Sequence, residues 1–233
     1  MESQDTESLF YFKIVPALVA NKNRIIGGLA AVVLVVLLVL FFSWEKDQKE
    51  VNAGQAFSLL WVSARPGTSP ADLAGEYLKI AGEYSSTQTG PRALLQGAAV
   101  LFSAGNYGDA QTQFQKFADT YPNSPLIATA MLGIASSLEA QGKTDASLDA
   151  YHKVLDSYTD AATLLSAKFA TARIYEQQGK INDALRYYQE IAHAAPSSAL
   201  GQQANLKAVE LAAVLPKATF APAQSIPMMP PSK

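Results

Sequence analysis

The sequence predicts an all-α protein made of a single transmembrane helix, a solenoid of helical hairpins and a disordered Pro-rich tail. Three observations carry that expectation. Residues 25–43 form a run of 19 without a charge, which as a helix spans about 28 Å, close to the hydrocarbon thickness of a bilayer. From residue 52 onward the chain superposes on itself at a shift of 37 residues, and a period of that size marks stacked supersecondary units. Five of the 12 prolines, Pro216, Pro222, Pro227, Pro230 and Pro231, crowd the last 18 residues, where no helix can continue.

Composition narrows the function classes. In 233 residues, 18 Lys and Arg stand against 20 Asp and Glu for a formal charge of -2. No surplus of positive charge is present to hold a polyphosphate backbone, so nucleic acid is not an expected partner. With no cysteine, disulfide frameworks, Cys-based zinc sites, iron–sulfur clusters, a thiol nucleophile and a lipidated signal all drop out. Only His152 and His193 remain as imidazole ligands.

Residues 1–24 read as a cytoplasmic segment, in which Leu9–Ala20, broken by Pro16, either lies along the membrane surface or is a short disordered tail. The transmembrane helix occupies 25–44, flanked by Lys22 and Arg24 at its start and by Trp44, Glu45 and Lys46 at its end. A cleaved signal peptide fits less well: the apolar run is longer than such signals carry, and the nearest small-residue site, Val51-Asn52-Ala53, lies well beyond it. Lys13, Lys22 and Arg24 before the helix against Lys46 and Lys49 just after it favour a cytoplasmic N-terminus. Nearly everything able to fold follows residue 44, so the folded domain is expected outside the cytoplasm. Gly27-x-x-x-Ala31 permits close approach of a second helix, which leaves an oligomer open.

In residues 52–215 the repeat register is explicit. Gly105, Gly142 and Gly179 coincide, as do Ala98, Ala135 and Ala172, and Ala110, Ser147 and Ala184. The aromatics Phe114, Tyr151 and Tyr188 follow the same shift, then Phe117, Val154 and Ile191. Tyr77 and Tyr84 point to a degenerate earlier unit near 54–90. Each unit has one grammar: a first helix with a small residue at its crossing, a Gly in a left-handed cap, and a second helix with a small residue and an aromatic four apart. Helices are expected near 52–64, 70–85, 91–104, 107–120, 124–141, 144–157, 161–178, 181–194 and 198–214. The last closes the stack with the polar residues Gln202, Gln203, Asn205, Lys207 and Glu210. Residues 216–233 are expected to be disordered, or to act as a docking peptide through Ile226-Pro227-Met228-Met229.

The segments GNYGDAQTQFQKFADTYP (105–122), GKTDASLDAYHKVLDSYT (142–159) and GKINDALRYYQEIAHAAP (179–196) resemble tetratricopeptide repeats. A single N-terminal membrane helix followed directly by such repeats resembles the ancillary translocon-subunit family of bacterial inner-membrane proteins. That resemblance implies an inner-membrane location with the repeats in the periplasm, and partners among envelope, translocon or secreted proteins. The Pro-rich tail, and Trp61 at the small-residue position of the first unit, depart from the pattern. The likeness to tetratricopeptide solenoids also implies a concave groove lined by the first helix of each pair. Carried over position by position, it selects Arg92, Leu95, Ala99 and Phe102, then Thr129, Leu132, Ser136 and Glu139, then Phe169, Arg173 and Glu176, extended by Leu206 and Glu210. The Lys and Asn set that clamps a C-terminal carboxylate in some relatives is missing, which favours a partly apolar peptide or helix.

No constellation for chemistry stands out. His152 is expected on the surface, His193 suits a helix C-terminus, and Asp156 with Asp160 suits a helix end and cap. The stripe Tyr77, Phe114, Tyr151 and Tyr188 is expected as core. There is no Gly-rich phosphate loop. The expectation is a non-enzymatic scaffold or chaperone-like protein with no cofactor and no metal. The alternative is a structural accessory subunit of a larger membrane complex.

Overall fold

Every regular element among the described residues, 20–63 and 69–215 of a computed structural model, is a helix. In chain order these are α1 (Lys22–Ser63), α2 (Pro70–Glu83), α3 (Thr89–Ser103), α4 (Tyr107–Thr120), α5 (Ile127–Ala140), α6 (Thr144–Ser157), α7 (Ala161–Gln177), α8 (Ile181–Ala194) and α9 (Ala199–Val214). Residues 1–19, the side chain of Trp61 and the Pro-rich tail from 216 lie outside the described residues. The chain divides into two units, residues 1–66 with 77–93, and residues 67–76 with 94–233.

The first unit is dominated by α1, 42 residues long, or about 63 Å. Separate helices at 25–44 and 52–64 were the expectation; the structure has a single unbroken rod. The cause is local: between Trp44 and Ser63 there is no proline, and Glu45 pairs with Lys49 one turn on, Oε1 to Nζ 2.8 Å. Among the described residues, α1 is the one helix long and apolar enough to cross a membrane. Its Val32–Phe42 side chains are between 48% and 62% exposed. Farther along, Ala53 is buried and the Phe57 ring lies 5.4 Å from that of Tyr77.

A carboxylate fastens this rod. Glu50 Oε2 accepts the Gln88 N–H at 2.6 Å, and Oε1 accepts the Thr89 hydroxyl at 2.7 Å. An anion at the first residues of α3 meets unpaired N–H groups and the positive end of the helix dipole. Beneath it, Thr87 Oγ1 accepts the Gly90 N–H at 3.1 Å. Gly90 has to be glycine, because a Cβ there would run into the Tyr84 carbonyl.

In the second unit the repeat register becomes geometry. Gly105, Gly142 and Gly179 are the described residues with positive φ, at 83°, 76° and 72°. Each closes its helix with the same pair of bonds: Gly105 N–H to Phe102 O (3.0 Å) with Asn106 N–H to Leu101 O (2.9 Å), and likewise one and two periods later. That is the Schellman cap, which needs a residue free of the left-handed penalty. Ala98, Ala135 and Ala172 are fully buried, as are Ala110, Ser147 and Ala184 and then Phe117, Val154 and Ile191. Connections of three to six residues make neighbouring helices antiparallel. Each helix from α4 to α8 packs on the next, and α5 also meets α7, a first helix against a first helix.

Two details depart from expectation. Helix α5 starts at Ile127 rather than near 124, because Ser124 Oγ takes the Leu126 N–H at 3.2 Å and holds the residues around Pro125 in turns. The closing helix α9 is less polar outside than expected: beside Gln202, Gln203, Asn205 and Glu210, the exposed face carries Leu206, Val209 and Val214.

Candidate functional site

Helices α3, α5 and α7 bring Phe102, Glu139, Phe169 and Arg173 to one open depression of about 760 Å³, floored in part by Tyr151 of α6. A second depression, about 510 Å³, shares Phe169 and Arg173 and continues to Glu176, Gln203 and Lys207. Six of the residues singled out for the groove, Phe102, Ser136, Glu139, Phe169, Arg173 and Glu176, therefore line one strip within the second unit.

The others fall elsewhere. Arg92, in the first unit, is exposed and adds its charge to the field at Glu50. Leu95 is half-buried and lines neither depression. Leu132 packs against the core cluster of Tyr151, Val154 and Ile174. Leu206 is 70% exposed and borders a separate hollow of about 710 Å³ with Val209, His193 and Pro196. Its neighbour Lys207 faces the strip instead, because successive residues on a helix point about 100° apart.

The strip is held by a rung that occurs twice. Tyr151 donates its hydroxyl to Glu139 Oε2 at 2.8 Å, and Arg173 of the next first helix donates to Glu139 Oε1 at 2.6 Å. One period later Tyr188 donates to Glu176 Oε2 at 2.9 Å, and Lys207 donates to Glu176 Oε1 at 2.9 Å. Glu139 and Glu176 correspond under the 37-residue shift, as do Tyr151 and Tyr188. The cations do not, since Lys207 arrives one turn earlier on α9 than Arg173 does on α7. In the preceding unit the equivalent places hold Phe102 and Phe114. There the carboxylate and the phenol are replaced together by apolar rings, so the strip grades from apolar to polar.

Electrostatics follow the packing. Burial raises the pKa of both Tyr151 and Tyr188, and the carboxylates they face raise it further, so both phenols stay neutral. Burial also pushes Glu176 up, but the Lys207 ammonium and the Tyr188 hydroxyl outweigh it and hold its carboxyl below the ordinary value. Lys207 is correspondingly raised, first by Glu176 and then by Glu210.

A tetratricopeptide repeat-like domain model matches residues 19–214. The chain belongs to that family. The match begins ahead of the apolar segment, so it takes in α1 together with the repeats. Among solved structures, the tetratricopeptide-like repeats of a putative kinesin light chain from Podosopora anserina superpose with a TM-score of 0.51 at 8% identity, over 71% of this chain and 86% of that one. A variant of the same repeats gives 0.52, also at 8%, over 71% and 85%. MamA from Desulfovibrio magneticus RS-1 (41-end) gives 0.43 at 17%, over 69% and 93%. At these identities the likeness is one of fold. No curated protein matches the chain.

Sequence reasoning assigned Tyr151 and Tyr188 to the core and Lys207 to the solvent face of the terminal repeat. Both tyrosine rings are indeed 1% exposed, yet their hydroxyls reach the groove carboxylates. The signal was present as a paired change, Phe to Tyr at one register position wherever Phe became Glu at another. His152, expected on the surface, is half-buried with Nε2 3.0 Å from the Tyr175 hydroxyl oxygen. Asp160 does cap α7, its Oδ2 accepting the Thr163 N–H at 2.8 Å. Among the described residues no group of three His, Asp or Glu could hold a metal ion.

Proposed function

We propose that this tetratricopeptide repeat-like protein is a single-pass scaffold, chaperone-like in action, held in a bacterial inner membrane by α1. Its repeats face the periplasm and bind envelope or emerging secreted proteins through the strip from Phe102 to Lys207. The observation that carries this is the continuous open strip along the first helices, with two half-buried aromatic rings presented beside it. A folded protein holds such rings accessible where they can receive an apolar anchor. The single N-terminal helix joined to repeats supports placement beside the translocon, the arrangement of the ancillary translocon-subunit family.

A second reading is a structural accessory subunit whose groove stays empty. What favours it is α1 beyond the apolar segment, where Val51 and Leu59 are 51% and 62% exposed and could face a fixed neighbour.

The two separate by co-purification of the full chain in mild detergent, with a folded Phe102→Ser, Phe169→Ser double variant alongside. The scaffold reading expects a heterogeneous, substoichiometric set of partners, weakened by about 1–2 kcal/mol or more in the variant. Fixed stoichiometric partners retained by the variant favour the subunit. Melting curves must accompany both, because Phe169 also packs edge-on against Tyr188, ring centroids 5.4 Å apart.

A further inference from the structure

We infer that Glu139 and Glu176 are specificity-determining residues: by occupying the two groove cations they make the strip select uncharged, apolar-anchored segments and reject acidic ones. The inference rests on the groove reading above and names the ligand chemistry of that same site.

A row of cations along a helical groove attracts carboxylates, and Arg173 and Lys207 stand in such a row on α7 and α9. Neither is unpartnered. Arg173 sits 2.6 Å from Glu139 Oε1, and Lys207 sits 2.9 Å from Glu176 Oε1 and 3.3 Å from Glu210 Oε2. Each groove carboxylate is anchored from the other side by a buried phenol, Tyr151 or Tyr188. The side chains of Glu139 and Glu176 are only 17% and 24% exposed, so the anions are seated in the wall. An incoming carboxylate would have to displace a seated anion from a charge-assisted bond, or sit beside it and be repelled. An uncharged segment disturbs nothing and finds Phe102 and Phe169 beside the paired charges.

The repeat pattern points the same way. Where no cation faces the strip one unit earlier, the carboxylate is absent too: Phe102 holds the Glu139 position, and Ser136 the Arg173 position. Charge enters and leaves this surface in compensated pairs.

The test uses the full chain in mild detergent and two labelled ten-residue peptides, one of Phe, Leu, Ala, Ser and Gln, the other the same with three Asp replacements, read by fluorescence anisotropy. The intact protein should bind the uncharged peptide about tenfold or more tightly than the acidic one. Glu139→Gln keeps the shape and an acceptor for Tyr151 while freeing Arg173. It should tighten the acidic peptide about tenfold relative to the uncharged one, and lose that relative gain as salt is raised. Glu176→Gln should do less, because Lys207 keeps Glu210. A folded Glu139→Gln that still binds the uncharged peptide with unaltered discrimination overturns the inference and leaves the groove standing. An Arg173→Gln, Lys207→Gln variant covers the case in which Glu139→Gln unfolds. There a preference for the uncharged peptide that is kept or widened supports the inference, and a tenfold loss of uncharged-peptide affinity overturns it by making the cations ligand contacts. Binding of neither peptide by any form overturns both the inference and the groove.

Discussion

Tyr151 and Tyr188 each do two jobs with one side chain, filling the core with the ring and fixing a groove carboxylate with the hydroxyl. Their pKa values are raised, so each favours the folded state at pH below the ordinary phenol value. That contribution is lost as pH climbs through the raised value. Glu176 has the opposite sign: its lowered pKa stabilises the fold at neutral pH, and the contribution disappears as pH falls through it. Stability should therefore be flat across neutrality, falling in acid below about pH 4.5 and in alkali above about pH 10. In an alkaline titration followed by ultraviolet absorption, two of the ten tyrosines should ionise last and together with loss of the helical circular dichroism. Tyr151→Phe and Tyr188→Phe should each remove one late equivalent. Ionisation of all ten while the helices persist would mean these phenols are not buried donors. None of this was legible residue by residue. A tyrosine in a register otherwise held by Phe looks like core, and the partner that gives its hydroxyl a purpose lies twelve positions upstream on another helix.

At the scale of elements, the crossings decide whether the repeats stack. Ala135 is fully buried where α5 meets its neighbours, and Gly133 two residues earlier lets the Phe114 ring in so close that a Cβ would lie 2.6 Å from it. Ala135→Leu should cost about 1–3 kcal/mol, because a packed crossing cannot take the added volume. Gly133→Ala should also lower stability, although alanine is intrinsically the better helix former by about 1 kcal/mol. Thermal melts by circular dichroism decide both, and a midpoint raised by Gly133→Ala would show that Phe114 yields easily. The Ala135 crossing was readable from sequence because it repeats at 98 and 172. The Gly133 contact was not, since the equivalent positions hold Gln96 and Ala170. Periodicity exposes whatever every unit shares, here the caps, the small residues and the aromatic stripe. It is silent where one unit departs, as with the rotation of α9 that turns Leu206 outward and Lys207 inward, or the fusion of two expected helices into α1.

For the whole molecule, the placement of α1 sets what the rest can meet. If the N-terminal segment stays in the cytoplasm, a reporter active only there and fused after Lys233 should be silent, while its fusion to residue 1 should be active. A mature chain beginning near Ala53 would refute the anchor, and an active C-terminal fusion the orientation.

The unbroken α1 has a consequence of phase. A helix advances about 100° per residue, so side chains 7, 11 and 18 positions before Glu50, namely Ser43, Val39 and Val32, share its azimuth. Because Glu50 is fastened to Gln88 and Thr89, the rod cannot spin freely about its own axis. The stripe Val32, Val39 and Ser43 is indexed to that fastening as the key of a shaft is to its gear. One residue inserted between Trp44 and Glu50 would turn the whole apolar segment by about 100° relative to the clasp without altering any side chain in it, and a second inserted residue would double the turn.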